Sequence, residues 1–217
     1  MSPDSYLVYA LGFLAQLLFS ARMLVQWILS ERAKKVVSPH LYWQLSIVAA
    51  IIMFFYGWLR HDFAIILGQS ITYFIYIYNL KLLKVWKKMP VTFRIFCYLV
   101  PLFVVPYALF NYQDTVNRLF HNNEIPLYLL LWGSAGQVVF TLRFVYQWLS
   151  SRRIQKSILP MGFWVISLTG SVMIVSYAVY RRDPVLFLGQ IFGAAIYARN
   201  IWLLINSGKR TRTLQKE

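Results

Sequence analysis

The chain has 217 residues, of which 59% are hydrophobic and 13% charged, with a formal net charge of +15. A soluble domain carries about 25% charged residues, so water is not the main solvent of most of this surface. The excess of Lys and Arg falls in short segments between apolar runs, a placement that speaks for membrane topology and against nucleic acid.

Seven apolar runs approach the roughly 17–25 residues that a bilayer core requires. They are Tyr6–Leu29, Leu41–Leu59, Phe63–Leu83, Phe93–Phe110, Ile125–Leu149, Met161–Tyr180 and Pro184–Ile205. Met1–Ser5 lacks a basic n-region, so the first run is expected to be a retained helix and not a removed signal. Short connections leave no room for a soluble catalytic domain, and the expectation is one integral membrane domain. Cys97 is the single cysteine, which rules out an internal disulfide.

With the N-terminus outside, the inward segments hold 14 basic residues, in Arg32–Lys35, Lys81–Lys88, Arg152–Lys156 and Lys209–Lys216. The outward ones hold four, Arg60, Arg118, Arg181 and Arg182. The positive-inside rule therefore places the N-terminus outside and the C-terminus on the inner, cytoplasmic side. Some of the inner charge would also attract anionic lipid headgroups.

Residues 12–83 repeat as 133–204 without a gap, and 23 of the 72 pairs are identical. Many matches are polar, among them Gln16/Gln137, Arg22/Arg143, Gln26/Gln147, Ser30/Ser151, Tyr76/Tyr197 and Asn79/Asn200. A long repeat of apolar stretches points to a duplicated transport unit with a site between its halves. Each copy carries three runs, an odd number, and the unmatched fourth run restores the orientation. The expected fold is all-α, with seven transmembrane helices arranged as 3+1+3 parallel repeats. Its parts are residues 1–88 as the first repeat, 89–124 as a connector helix, and 125–217 as the second repeat with a basic tail. Pro101 and Pro106 lie in the connector, where neighbouring helices can satisfy the backbone groups they free.

The stretch RFVYQWLSSRRIQKSILPMGFWVISLTGS followed by DPVLFLGQIFGAAIYARNIWLL resembles the lipid A biosynthesis N-terminal domain family. RMLVQWILSERAKKVVSPHLYWQLS with DFAIILGQSITYFIYIYNLKLL resembles a second copy. The layout is also similar, more remotely, to PQ-loop and SWEET transporters. The family resemblance implies envelope glycolipid biosynthesis in a bacterial inner membrane. Its name comes from proteins in which this unit precedes a lipid-A-disaccharide synthase. Nothing similar to that enzyme's catalytic domain stands in these residues, so the expectation is that the chain is not an enzyme.

On the first helix of each repeat, Gln16, Arg22 and Gln26, and likewise Gln137, Arg143 and Gln147, share one broad face. Polar groups in lipid should turn to the bundle interior. Arg22 lies roughly 10 Å from the inner helix end at 1.5 Å per residue. Two arginines brought together by pseudo-symmetry repel unless an anion intervenes, and a phosphate suits the guanidinium fork. Snorkelling to the inner headgroups is the alternative. On the third helices Gln69, Tyr76 and Asn79 share a face, as do Gln190, Tyr197 and Asn200, either to bond a sugar headgroup or to tie helices together. Pro39 and Pro160 are expected to begin the second helices, with helix initiation and a gating hinge as the two readings. Trp43 and Trp164 fit an interfacial aromatic belt, with stacking on a sugar as the other reading. Asp62 and Asp183, beside Arg60 and Arg181, are expected to form local ion pairs. His40, His61 and His121 are scattered and make no metal set, and neither a metal nor a cofactor is expected.

Three functions are compatible with these residues. In the first, the halves rock about a shared site and move an anionic lipid-linked substrate, a polyprenyl-phosphate sugar or a lipid A precursor, between leaflets. Its candidate contacts are Arg22, Arg143, Gln26, Gln147, Asn79, Asn200, Tyr76, Tyr197, Gln16 and Gln137. The second is a membrane scaffold for a separate glycosyltransferase. The third is a SWEET-like carrier of a small solute. Membrane lipids are partners in all three, and nucleic acid in none.

Overall fold

The computed structural model of the chain describes residues 3–59, 63–110, 126–180 and 184–214. Among them every regular element is helical: α1 Pro3–Ala33, α2 His40–Leu59, α3 Phe63–Leu82, a single 3₁₀ turn Trp86–Lys88, α4 Val91–Phe110, α5 Leu127–Ile154, α6 Met161–Tyr180 and α7 Pro184–Leu214. Each helix covers one of the seven apolar runs. α1 and α7 have 31 residues each. At 1.5 Å per residue that is about 46 Å, longer than a hydrocarbon core, so their basic ends extend past the apolar stretch. Among the described residues two spans are long and apolar enough to cross a membrane, Ala10–Ala33 and Met161–Tyr180; His40–Tyr56 and Val91–Phe103 are shorter apolar stretches.

Loop chemistry explains where helices stop. α5 ends at Gln155, whose φ of 52° is left-handed, and Lys156 N–H bonds back to Ser151 C=O at 3.3 Å. Lys34, the repeat counterpart of Gln155, has the same conformation (φ 54°) at the end of α1. α3 closes likewise through Lys84, with Val85 N–H on Leu80 C=O at 3.1 Å. Pro39 and Pro160 stand one residue before α2 and α6, outside their first turns.

The chain divides into two compact units, Met1–Arg22 with His40–Asn123 and Met23–Pro39 with Glu124–Glu217. This division departs from the repeat boundary, because the second half of α1 and the loop after it group with the second repeat. In the first unit α2 packs on α3, and α4 contacts both. The Tyr73 hydroxyl donates to the Cys97 carbonyl at 2.8 Å. Cys97 is four residues before Pro101, whose missing N–H would leave that carbonyl without its helical donor. Tyr73 thus supplies from α3 the hydrogen bond that Pro101 removes from α4, and Phe54 of α2 packs edge-on against the same ring at 5.3 Å.

In the second unit α6 packs on both α5 and α7. Gly170 lets the α5 backbone approach closely, since a Cβ there would lie 2.8 Å from the Phe140 backbone nitrogen. Elsewhere Phe13, Leu17, Leu102, Phe103 and Tyr128 are exposed, an apolar exterior that water would not favour. The loop residues Arg60, His61, Asp62, Arg118, His121, Arg181, Arg182 and Asp183 lie outside the described residues, as does Lys216.

Tyr73→Phe should destabilise the solubilised protein by about 1–3 kcal/mol, the cost of a buried carbonyl left without a donor. In a Pro101→Ala background, where the N–H is restored, the same change should be nearly neutral. Thermal unfolding of the four proteins measures the coupling, and equal losses in both backgrounds would refute the compensation.

Candidate functional site

Arg22 sits on α1 with 5% of its surface exposed. Its Nη1 donates to Ser46 Oγ of α2 at 2.8 Å and to the Tyr76 hydroxyl of α3 at 3.3 Å. The guanidinium carbon lies 4.5 Å from the Phe19 ring centre and 5.2 Å from that of Tyr42. Arg143 on α5 is also buried, at 6%. Its Nη1 donates to the Tyr197 hydroxyl of α7 at 3.3 Å, the distance seen in the first repeat. Rings of Phe140, Phe144, Phe163 and Tyr197 surround it at 3.4–5.8 Å. Both guanidinium groups therefore turn inward to a tyrosine on the third helix of their own repeat.

Four residues further along each first helix is a glutamine with no exposed surface. Gln26 and Gln147 each donate Nε2 to a serine hydroxyl one turn on, Ser30 or Ser151, both at 2.8 Å. The same hydroxyls accept the backbone N–H of the following loop, from Val37 at 3.1 Å and Ile158 at 3.2 Å. Gln147 also reaches the Ile158 carbonyl at 2.9 Å, and Gln26 the Val37 carbonyl at 3.4 Å. A side-chain frame fixes the loop to the helix in both copies, and the pattern Gln-x-x-x-Ser carries it.

Within the second unit Gln26 and Asn200 exchange amide hydrogen bonds, at 2.9 Å from Gln26 and 3.2 Å from Asn200. Asn79 and Asn200 both donate to the carbonyl four residues earlier, Ile75 and Ile196, each at 2.9 Å. Gln16 and Gln137 are exposed and stand apart from these buried groups. Ser171 of α6 donates to the Gln190 backbone carbonyl at 3.0 Å. Trp43 and Trp164 are fully buried, not exposed as belt residues would be. Each crosses its neighbour, Tyr42 or Phe163, edge-on and lies 6.1 Å from Tyr76 or Tyr197. Among the described residues no group of three or more His, Cys, Asp or Glu could hold a metal.

Sequence reasoning passed over one pair. Arg199 of α7 makes a two-pronged salt bridge with Glu31 of α1, with Nη2 to Oε2 at 2.9 Å and Nε to Oε1. Trp27 adds an indole N–H to Glu31 at 3.2 Å, and the Trp202 ring lies 4.0 Å from the Arg199 guanidinium. The repeat hid this pair, because the counterparts of Glu31 and Arg199 are Arg152 and Tyr78. The Glu31 carboxyl and Arg199 are thereby committed to each other, and Glu31 is not a neutralising partner for Arg143.

The model of the family described as Lipid A Biosynthesis N-terminal domain matches residues 11–81 and again residues 132–202. The chain belongs to the lipid A biosynthesis N-terminal domain family. Each match spans one Arg–Tyr and Gln–Ser frame, so this family unit is the three-helix repeat itself. The chain is 30% identical over 187 residues to a lipid-A-disaccharide synthase of Chlamydia pneumoniae, covering 83% of this chain and 30% of the relative. It is 29% identical over 189 residues to that of Chlamydia felis (83% and 30%), and 27% identical over 213 residues to that of Chlamydia caviae (94% and 34%). The chain thus spans about a third of the length of these relatives. No solved structure matches it.

The Gln26–Asn200 pair joins residues of the two matched regions, and Gln26→Leu and Asn200→Leu should each destabilise the protein, by about 1–2 kcal/mol. The double variant should lose less than the sum, because neither amide is then left buried alone. Additive losses in thermal unfolding would show that the two amides act independently.

Proposed function

We propose that the seven helices span the bacterial inner membrane, N-terminus periplasmic and C-terminus cytoplasmic, as 3+1+3 parallel repeats of PQ-loop type. In this reading the protein moves a phosphate-bearing, lipid-linked substrate of the lipid A pathway between leaflets. The substrate is a polyprenyl-phosphate sugar or a lipid A precursor, and the helices carry it without glycosyl-transfer chemistry of their own. One observation carries the reading: an arginine in each repeat is more than nine-tenths buried and turned to a tyrosine hydroxyl. A snorkelling arginine would extend its head to the interface instead. A buried guanidinium inside an apolar bundle is suited to phosphate, which it can hold by two parallel N–H bonds. Arg22 with Tyr76, and separately Arg143 with Tyr197, supply polar groups suited to it. Gln26, Gln147, Asn79 and Asn200 hold the frame around those groups and reach a headgroup only where their own bonds open. Gln16 and Gln137, being exposed, are available to contact lipid or substrate along its path. The apolar exterior and the family support the membrane setting.

A second reading has its own support. The relatives carry the name lipid-A-disaccharide synthase, and this chain matches about a third of their length. A membrane scaffold that holds a glycosyltransferase beside its lipid substrate would have that relation to them.

Reconstituted into vesicles, the protein should accelerate transbilayer movement of a fluorescent polyprenyl-phosphate sugar or lipid A precursor. The Arg22→Gln, Arg143→Gln double variant should reduce that rate at least tenfold while keeping helical content, since each lost charged contact is worth about 1.5–3 kcal/mol. Movement no faster than in empty vesicles would sink the transport reading. A stoichiometric glycosyltransferase partner, with normal lipid movement in a deletion strain, would establish the scaffold instead.

A further inference from the structure

Lys81, Lys84, Lys87, Lys88 and Arg94 follow one another where α3 turns into α4. The nearest acids in the sequence, Asp62 and Asp114, stand before the start of α3 and beyond the end of α4, so no residue of these two helices neutralises the group. The duplication does not account for it either. Lys81 corresponds to Trp202, and the other four lie past the matched residues 12–83, where α7 instead runs on as helix.

The backbone of this corner is fixed by its own hydrogen bonds. Left-handed Lys84 ends α3, and its N–H returns to the Lys81 C=O at 3.0 Å. Lys88 and Met89 N–H then close the 3₁₀ turn on the Val85 and Trp86 carbonyls at 2.9 and 3.3 Å. Trp86 is buried, while Lys87 and Lys88 are exposed. The Trp86 ring meets Tyr98 of α4 edge-on at 5.7 Å, and the Lys81 ammonium lies 5.6 Å from the Tyr98 ring centre. Arg94, one turn before Tyr98 on α4, is half-buried, and its Nε is covered with no hydrogen-bond partner among the described residues. A covered N–H without an acceptor is costly, so a ligand oxygen beside it is stabilising.

An apolar stripe runs along α4 from this corner. Val91, Ile95, Tyr98 and Leu102 recur at helical spacing and are 41–66% exposed. From Val91 to Leu102 is about 16 Å at 1.5 Å per residue, close to one leaflet, which is half of a hydrocarbon core of about 30 Å. A cationic corner above an apolar stripe one leaflet long matches a lipid with an anionic head. A helix of another protein would cover the stripe but leave the five cations uncompensated.

Resting on the membrane placement proposed above, though not on transport, we propose that the α3–α4 corner binds one anionic glycerophospholipid. Its phosphate meets Arg94 and the lysine ammonium groups, and an acyl chain lies along the α4 stripe. The site belongs to the first unit alone and is separate from the buried arginines of the repeats.

Native mass spectrometry of the detergent-solubilised full chain, titrated with phosphatidylglycerol and separately with phosphatidylcholine, tests this. The unaltered protein should retain one phosphatidylglycerol about tenfold more strongly than phosphatidylcholine. The triple variant Lys87→Gln, Lys88→Gln, Arg94→Gln should weaken phosphatidylglycerol binding about tenfold or more. The charge-matched triple Arg152→Gln, Arg153→Gln, Lys156→Gln, on another basic segment, should change it less than about twofold. If the first triple does not fold, the exposed pair Lys87→Gln, Lys88→Gln against Arg152→Gln, Arg153→Gln carries the same comparison. Equal loss in the two triples reduces the corner to the general attraction of basic loops and overturns the site, with the membrane placement intact. Inorganic phosphate that displaces the lipid at equal concentration overturns the lipid as its occupant. Efficient disulfide cross-linking of Leu102→Cys chains in vesicles gives the stripe to a second copy and also overturns it. Recovery of the full chain in the soluble fraction of cells, without detergent, overturns the membrane placement and the site together.

Discussion

In an apolar bundle a buried hydrogen-bonding group has no water to turn to, and this constraint orders the rest of the structure. Ser30 and Ser151 show how it is met. Each hydroxyl, near the C-terminal end of a first helix, accepts from the glutamine one turn before and from the loop amide seven residues on. The distances agree to within 0.1 Å between repeats, 2.8 and 2.8 Å for the first bond and 3.1 and 3.2 Å for the second. A break in either bond would leave a buried donor unmet, a cost of about 1–3 kcal/mol. Apolar side chains face no such requirement and can exchange at similar volume for less. That difference accounts for the number of identities between the repeats that are Gln, Arg, Ser, Asn and Tyr.

Where the repeats diverge, α4 is the cause. Tyr73 and Phe54, fully buried in the first unit, correspond to Ala194 and Val175, which are only half-buried. The first pair makes the surface that receives α4 and supplies the donor that Pro101 takes away. The second pair has no such helix to receive and has no large ring. The unmatched helix α4 is therefore tied to the first unit by specific chemistry.

The helices were legible in the sequence because apolar length and the polar repeat report them independently. Their ends agree with the apolar runs to within five residues, except that α7 continues nine residues past Ile205 into the basic tail. The pairing of Arg22 with Tyr76 and Arg143 with Tyr197 was implicit in shared helix faces, though their burial was not. Trp43 and Trp164 misled, since an aromatic residue near a basic segment suits an interface and a core equally well until its neighbours are known. The grouping of residues 23–39 with the second repeat had no local signal at all. It depends on Gln26 meeting Asn200 and Glu31 meeting Arg199, contacts separated by 174 and 168 residues.

The Glu31–Arg199 bridge also bears on the electrostatics of the arginines. α2 to α7 contain no Asp or Glu, and within α1 the acids are Asp4 and Glu31. At 1.5 Å per residue Glu31 lies about 13 Å along the helix from Arg22, and it is engaged by Arg199. An anion 4 Å from an exposed arginine in water gains only about 1 kcal/mol, against about 4 kcal/mol where the effective dielectric constant is near 20. Burial therefore gives the Arg22 and Arg143 charges a stronger local field than the exposed lysines at the loop ends, although those are more numerous. The basic segments at the helix ends are exposed and screened by solvent, whereas a buried guanidinium is screened least, so the two classes of cation differ in field strength and not only in number.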